Sequence, residues 1–194
     1  FGPKTEAAVK AFQASSGLAQ TGRVDGNTLA ALDKAAAAQI ATLKAQAQPE
    51  GSRKNAFRIV ADIGDPTRTR LYVLGKNDEV KARFLTSPGR EEFPTRGEKY
   101  TVSGTYVRTQ WTPPSSPWAA GEDPVPPGLD NPMGIAKLRL GSTAQYIHGI
   151  PAYEEKDLGH AASHGCLRVS GSNVLEISEK YAEGGTSVTL NRDA

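Results

Sequence analysis

Tyr146-Ile147-His148-Gly149-Ile150-Pro151 and, further along, Ser163-His164-Gly165-Cys166-Leu167-Arg168 decide how this chain is read. Two of its three histidines and its only cysteine stand here together. A lone cysteine is commonly an inert, buried side chain, but this one is flanked by glycine and histidine. A cysteine nucleophile needs a base to take its proton, a group to orient that base, and donors facing the oxyanion of a tetrahedral intermediate. Gly165 lets the backbone approach a substrate carbonyl closely, so the N–H groups of Gly165 and Cys166 are candidate oxyanion donors. Such surroundings are expected to lower the thiol pKa. On residue types and spacing alone, three readings stand. The first is Cys–His acyl transfer. The second is a zinc site drawn from His148, His160, His164 and Cys166, with His160 and His164 at helical i, i+4 spacing; Gly159 and Gly165 work against a helix there. In the third, the histidines serve only loop hydrogen bonds.

Outward from this stretch the texture is that of a turn-rich β domain. Short β-type runs are expected at Phe57–Ala61, Arg70–Leu74, Val80–Thr86, Lys99–Thr109, Gly134–Leu140, Tyr146–His148 and Ser187–Asn191, punctuated by Gly, Pro and Asp. One helix is expected over Ser172–Glu183, stopped by Gly184-Gly185. Residues 110–132 carry seven prolines (Pro113, Pro114, Pro117, Pro124, Pro126, Pro127 and Pro132) together with Trp111 and Trp118. A long proline-rich loop in a compact domain is either disordered or a functional lid, and two tryptophans argue for packing.

Toward the N-terminus the pattern is helical. Ala8, Val9 and Phe12 form an apolar stripe over residues 5–14, with Gly17 as the stop. A second helix is expected from Thr28, with Leu29 and Leu32 on its buried face. Residues 34–48 are rich in Ala, Gln and Lys and read as a helical linker, ended by Pro49-Glu50-Gly51-Ser52. The expected organisation is a partial helical domain at 1–34, a helical linker at 35–54 and a β-rich domain at 55–194.

Composition excludes several classes. The net charge of +2 and the scattered basic residues do not suit a nucleic-acid binder. No apolar run approaches the roughly 20 residues of a membrane helix. One cysteine excludes a disulfide framework and any multi-cysteine metal site. Phe1-Gly2-Pro3 reads as the middle of a motif, so the chain is expected to lack its natural start, and the absence of a signal peptide is uninformative.

The quoted motifs resemble the L,D-transpeptidase catalytic domain of the YkuD type: a histidine, a spacer of fitting length (149–162), then Ser-His-Gly-Cys. Arg70-Leu-Tyr-Val73, Phe93-Pro-Thr-Arg-Gly-Glu98 and Asn131-Pro-Met-Gly134 resemble further family segments in the right order. The resemblance covers roughly residues 56–192. It implies a β-rich mixed-sheet, sandwich-like fold with one helix, beside a small all-α N-terminal segment. Residues 1–24 resemble the second half of a small three-helix peptidoglycan-binding domain. The family often carries Asn where Gly171 stands, with Asn173 following here.

The resemblance implies attack by Cys166 on the bond between an L-centre and terminal D-Ala in a peptidoglycan stem tetrapeptide. His148 would be the base, oriented by the backbone carbonyl of Gly149. His164 would shape the loop, although sequence does not separate its role from that of His148. Gly165, Ser163, Arg168, Tyr146 and Trp111 complete the candidate site, Arg168 either gripping a substrate carboxylate or forming a structural ion pair. No cofactor and no metal are expected. Implied partners are stem peptides, the chain acting as a monomer in the periplasm or wall compartment, with carbapenems as inhibitors. Transpeptidation leads; hydrolysis or D-amino-acid exchange, including a wall-targeting effector, uses the same residues. A non-catalytic peptidoglycan-binding protein is the alternative from another class.

Overall fold

The computed structural model describes residues 2–46, 56–128 and 130–192. The chain divides into two compact units, Phe1–Gln46 and Ala47–Ala194.

In the first unit, helix α1 spans Pro3–Ser15 and helix α2 spans Gly26–Gln46. Pro3 begins α1, where its missing N–H costs nothing. Gly17, at φ +69°, takes the left-handed conformation that ends it. Asp25 caps α2 by accepting from the Thr28 N–H at 2.8 Å. α2 is continuous from Gly26 to Gln46, so it runs through both the end of the expected helical domain and the first part of the expected linker. The expected stop at residues 49–52 lies outside the described residues. The unit is organised around a polar centre. Gln13 is fully buried, and its amide donates to Thr21 Oγ1, Thr28 Oγ1 and the Arg23 carbonyl while accepting from the Gly22 N–H at 2.9 Å.

The second unit is a curled, mixed eight-stranded sheet in the order β3-β2-β1-β8-β4-β5-β6-β7. Its strands are β1 Arg58–Asp62, β2 Arg70–Leu74, β3 Val80–Leu85, β4 Lys99–Val107, β5 Ala136–Leu140, β6 Tyr146–His148, β7 Leu167–Arg168 and β8 Ser187–Asn191. β1 with β8 and β6 with β7 pair in parallel; the other pairs are antiparallel. The long β4 pairs with β8 through Lys99–Thr101, then with β5 from Val102 onward, shifting register between Val102 and Gly104. A bulge of this kind bends and twists the strand, which curls the sheet. Helix α3, Gly171–Glu176, continues as a π-helical turn over Ile177–Tyr181. It therefore starts one residue earlier and ends two residues sooner than expected.

The burial pattern follows the two-residue period of a strand. Ile59 and Ala61 of β1, Leu71 and Val73 of β2, and Leu138 and Leu140 of β5 are all fully enclosed.

Replacing Gln13 with Ala strips four partners of their bonds inside the first unit. It is expected to destabilise that unit by about 2 kcal/mol, read as lost hydrogen-exchange protection at the Gly22 amide.

Candidate active site

Register sets the site. Leu138, Ile147 and Leu167 lie side by side across β5, β6 and β7, and all three are fully buried. One step along each strand, Lys137, His148 and Arg168 form the adjacent row. Side chains alternate across a sheet, so this basic row lies on the opposite face from the aliphatic one. Cys166 directly precedes β7, two residues before Arg168, and belongs to the same face.

β7 is only two residues long and was not foreseen as a strand. Backbone clamps hold it. Ser87 exchanges both N–H···O bonds with Arg168, at 2.9 and 3.0 Å, and the Arg90 N–H donates to the Ser163 carbonyl at 3.1 Å. Within the turn, Ser163 Oγ donates to the Cys166 carbonyl at 2.6 Å and accepts from the Gly165 N–H at 3.0 Å. This corrects one expectation: the Gly165 N–H is committed to Ser163 and does not face the cleft as an oxyanion donor. Gly165 instead supplies a φ of +110°, which favours glycine.

His148 is 5% exposed, and its Nδ1 lies 2.6 Å from the Gly149 carbonyl. A carbonyl only accepts, so Nδ1 carries the proton and Nε2 keeps its lone pair. Burial lowers the His148 pKa from 6.5 to about 4, outweighing the Gly149 bond, with Arg168 and Lys137 adding to the lowering. The Gly149 backbone is itself wedged in place. A Cβ on Gly134 would stand 2.4 Å from the Gly149 carbonyl carbon, and a Cβ on Gly149 would press on Val174 and Gly171.

The Cys166 thiol is half-buried, and burial raises its pKa to about 11. The Tyr146 N–H and the Lys137 ammonium pull the other way without overcoming it. The expected depression is therefore reversed, because desolvation disfavours the thiolate more than its neighbours favour it. The pair rests as thiol and neutral imidazole.

His164 has different commitments. Arg90 donates to its Nε2 at 2.9 Å, the Trp118 ring stacks on it at 4.2 Å, and Phe93 lies at 4.9 Å. A guanidinium can only donate, so the Nε2 lone pair of His164 is occupied while that of His148 is not.

The cleft, of about 490 Å³, contains His148, Cys166, Ser163, His164, Arg168 and Trp111 of the expected set. Gly149, Gly165 and Tyr146 do not line it; they support it from behind. Arg168 is half-buried and ion-paired with Glu154. Among the described residues, no group of three or more His, Cys, Asp or Glu is arranged to hold a metal ion, so the four residues of the zinc reading do not converge.

The proline-rich loop forms one wall. Trp111 bridges to Val125 at its base, and Asn131 ties the loop down through Thr109, Val125 and Pro126. Trp118, Glu122, Met133 and Glu154 also line the cleft and were missing from the expected set. For Trp118 the proline-rich loop was a usable signal. For Glu154, in the spacer after His148, there was none.

Taken together, these features define a class: a β-rich domain whose cleft holds an imidazole and a lone thiol. The chain belongs to the L,D-transpeptidase catalytic-domain family (YkuD), whose model matches residues 56–190. Residues 1–32 match a model described as "Putative peptidoglycan binding domain". A curated relative from Fuscovulum blasticum, "Putative L,D-transpeptidase in ATP synthase subunits region ORF 5", is 33% identical over 69 residues, 34% of this chain and 35% of that protein. The match thus spans about a third of that relative's length. Among solved structures, an L,D-transpeptidase from Mycobacterium smegmatis is similar at TM-score 0.55 and 21% identity, over 70% of this chain and 58% of that one. L,D-transpeptidase 3 from Mycobacterium tuberculosis is similar at TM-score 0.55 and 20% identity, over 70% and 61%. The fold is that of these enzymes. No described helix is long and apolar enough to cross a membrane.

Two outcomes are expected. Gly134→Ala adds a Cβ that cannot coexist with the Gly149 backbone at a φ of +60°. It should destabilise the β-rich unit by about 2 kcal/mol or more, measured by denaturant melts. The second concerns acid stability. The folded-state pKa of His148 is depressed, so between pH 6.5 and about 4 the unfolded state binds more protons. Stability from this group is intact above 6.5 and is lost as pH falls through about 4, by about 3 kcal/mol in total. His148→Gln should flatten that part of the stability curve relative to the wild type.

Proposed function

We propose that this chain is a cysteine-dependent L,D-transpeptidase acting on peptidoglycan stem tetrapeptides in the periplasm or wall compartment. The observation that carries the reading is the fixed tautomer of His148, whose free Nε2 belongs to the same cleft as the only cysteine. Cys166 Sγ attacks the carbonyl of the L-centre as His148 Nε2 takes the thiol proton. The C–N bond to terminal D-Ala breaks, the amine leaves with that proton, and a thioester remains on Cys166. A side-chain amine of a second stem then attacks the thioester, giving a 3→3 cross-link and returning the thiol. Because both groups rest neutral, proton transfer accompanies attack rather than preceding it. With the Gly165 N–H committed, the Cys166 N–H is the remaining backbone candidate for the oxyanion. Arg168, held by Glu154, serves the architecture of the cleft. Trp111 and Trp118 make it a walled groove suited to an extended peptide.

One similar solved structure, of LdtMt1, contains imipenem, which motivates the test. Incubation with imipenem should add a single acyl mass to the wild type and none to Cys166→Ala. A folded wild type that takes no adduct would count against the reading. With purified tetrapeptide muropeptides, cross-linked dimers are expected; tripeptide alone would assign the chain as a carboxypeptidase instead.

A further inference from the structure

We propose that Lys137 is an electrostatic positioning residue for this site: set beside His148 by the β5–β6 register and without a carboxylate partner among the described residues, its ammonium favours negative sulfur at Cys166 and adds to the burial that keeps His148 neutral. The inference rests on the reading of Cys166 and His148 as the reacting pair.

The argument begins with the row Lys137–His148–Arg168. Two cations here flank a neutral imidazole on one sheet face, and they repel one another unless anions intervene. Arg168 has its anion, Glu154. Lys137 makes no ion pair among the described residues; its Nζ sits 5.4 Å from the centre of the Tyr146 ring. That contact is a weak substitute for a carboxylate. A half-buried ammonium without a counter-ion loses hydration that nothing restores, and burial accordingly lowers the Lys137 pKa. The group that would relieve it is a negative Cys166, which pushes the Lys137 pKa back up.

The other charged and titratable groups of the site do not replace it. Arg168 faces His148 and lowers its pKa more than Lys137 does, but it is ion-paired with Glu154 and is not among the groups that favour the Cys166 thiolate. His164 is held by Arg90 and Trp118. Tyr146 offers its ring to Lys137 and its N–H to the sulfur. Glu122, in the cleft wall, carries the wrong sign to help a thiolate. Lys137 is therefore the cation that acts on both partners, and it does so in a useful sense. It favours loss of the thiol proton, and it disfavours a protonated His148 that could not serve as base.

The test uses the full chain, whose single cysteine makes alkylation unambiguous by mass. Iodoacetamide rates are followed from pH 7 to 9.5 for wild type, Lys137→Met and Lys137→Arg. In this range the rate is proportional to the thiolate fraction, because the thiol pKa is near 11. Lys137→Met should slow alkylation about 3- to 10-fold at each pH. Lys137→Arg, which keeps the charge, should restore it to within about 2-fold. The acid limb of imipenem acylation should also move to higher pH in Lys137→Met, because His148 then protonates more readily. A Lys137→Met protein with wild-type melting temperature and wild-type alkylation would overturn the proposal, as would a Lys137→Arg protein as slow as the Met variant. The alkylation arm needs no transpeptidase activity. A chain that shows the Lys137 dependence but takes no imipenem adduct would uphold the electrostatic role and sink the proposed function.

Discussion

The arrangement of the site depends on the register of three short strands. Leu138, Ile147 and Leu167 must lie on the buried face together, because each contributes roughly 1.5–3 kcal/mol by leaving water. A slip by one residue would move all three to the cleft face and turn Lys137, His148 and Arg168 onto the aliphatic side. Both costs point the same way, so the aliphatic row fixes the position of the basic row. β7 is too short to hold itself there by pairing with β6 alone. Its hold on Ser87 and the hold of Ser163 on Arg90 make the loop after β3 part of the same mechanism. The placement of Cys166 thus follows from hydrophobic burial in one row and backbone bonds in a loop far away in sequence.

Orientation of His148 is a second constraint, and it is built from glycines rather than from an acidic side chain. Gly134, Gly149 and the start of α3 at Gly171 pack so closely that a side chain on Gly134 would collide with the Gly149 backbone and one on Gly149 would press on Val174 and Gly171. That packing presents the Gly149 carbonyl to Nδ1. Asn131 extends the constraint outward, since its amide ties down the proline-rich wall while the Gly134 N–H returns to the Asn131 carbonyl at 2.8 Å. The wall and His148 are therefore braced by one segment, Asn131-Pro-Met-Gly134. The two cleft histidines differ in what occupies their nitrogens: His148 spends Nδ1 on a carbonyl, and His164 spends Nε2 on a guanidinium.

Much of this was legible in the residues, and the parts that were not have physical reasons. Seven of the strands announce themselves through β-branched and aromatic runs bounded by turn residues. β7 does not, because two residues cannot show a period, and what makes Leu167-Arg168 a strand is its neighbours. That His148 and Cys166 share one cleft was readable from spacing, and the Gly149 carbonyl at His148 Nδ1 from the family resemblance. The Gly165 N–H was misassigned because sequence shows a glycine before a cysteine but not the Ser163 hydroxyl that claims its proton. Glu154 and Lys137 were invisible for a similar reason: a lysine on an alternating strand reads as a solvent-facing residue, and only cross-strand pairing sets it against His148. The Trp118–His164 stack needs a loop path that proline content suggests but does not specify.

The direction of the thiol pKa bears most on how such a site would work. Sequence logic expects an activated cysteine to have a lowered thiol pKa. Here burial keeps it protonated, with a thiol near 11 and an imidazole near 4. Separated values of this kind mean that the ion pair is not stored in the free protein; in the proposed reaction it would form only as a substrate carbonyl is attacked. The cost is a small thiolate population. The compensation is a sulfur whose intrinsic nucleophilicity is high, since nucleophilicity rises with pKa, and which stays comparatively inert toward oxidants. The Tyr146 N–H and the Lys137 ammonium both oppose the burial effect. They reduce the burial penalty without overcoming it, so the thiolate is scarce at rest and, in the proposed reaction, negative charge on sulfur need develop only as the carbonyl is attacked.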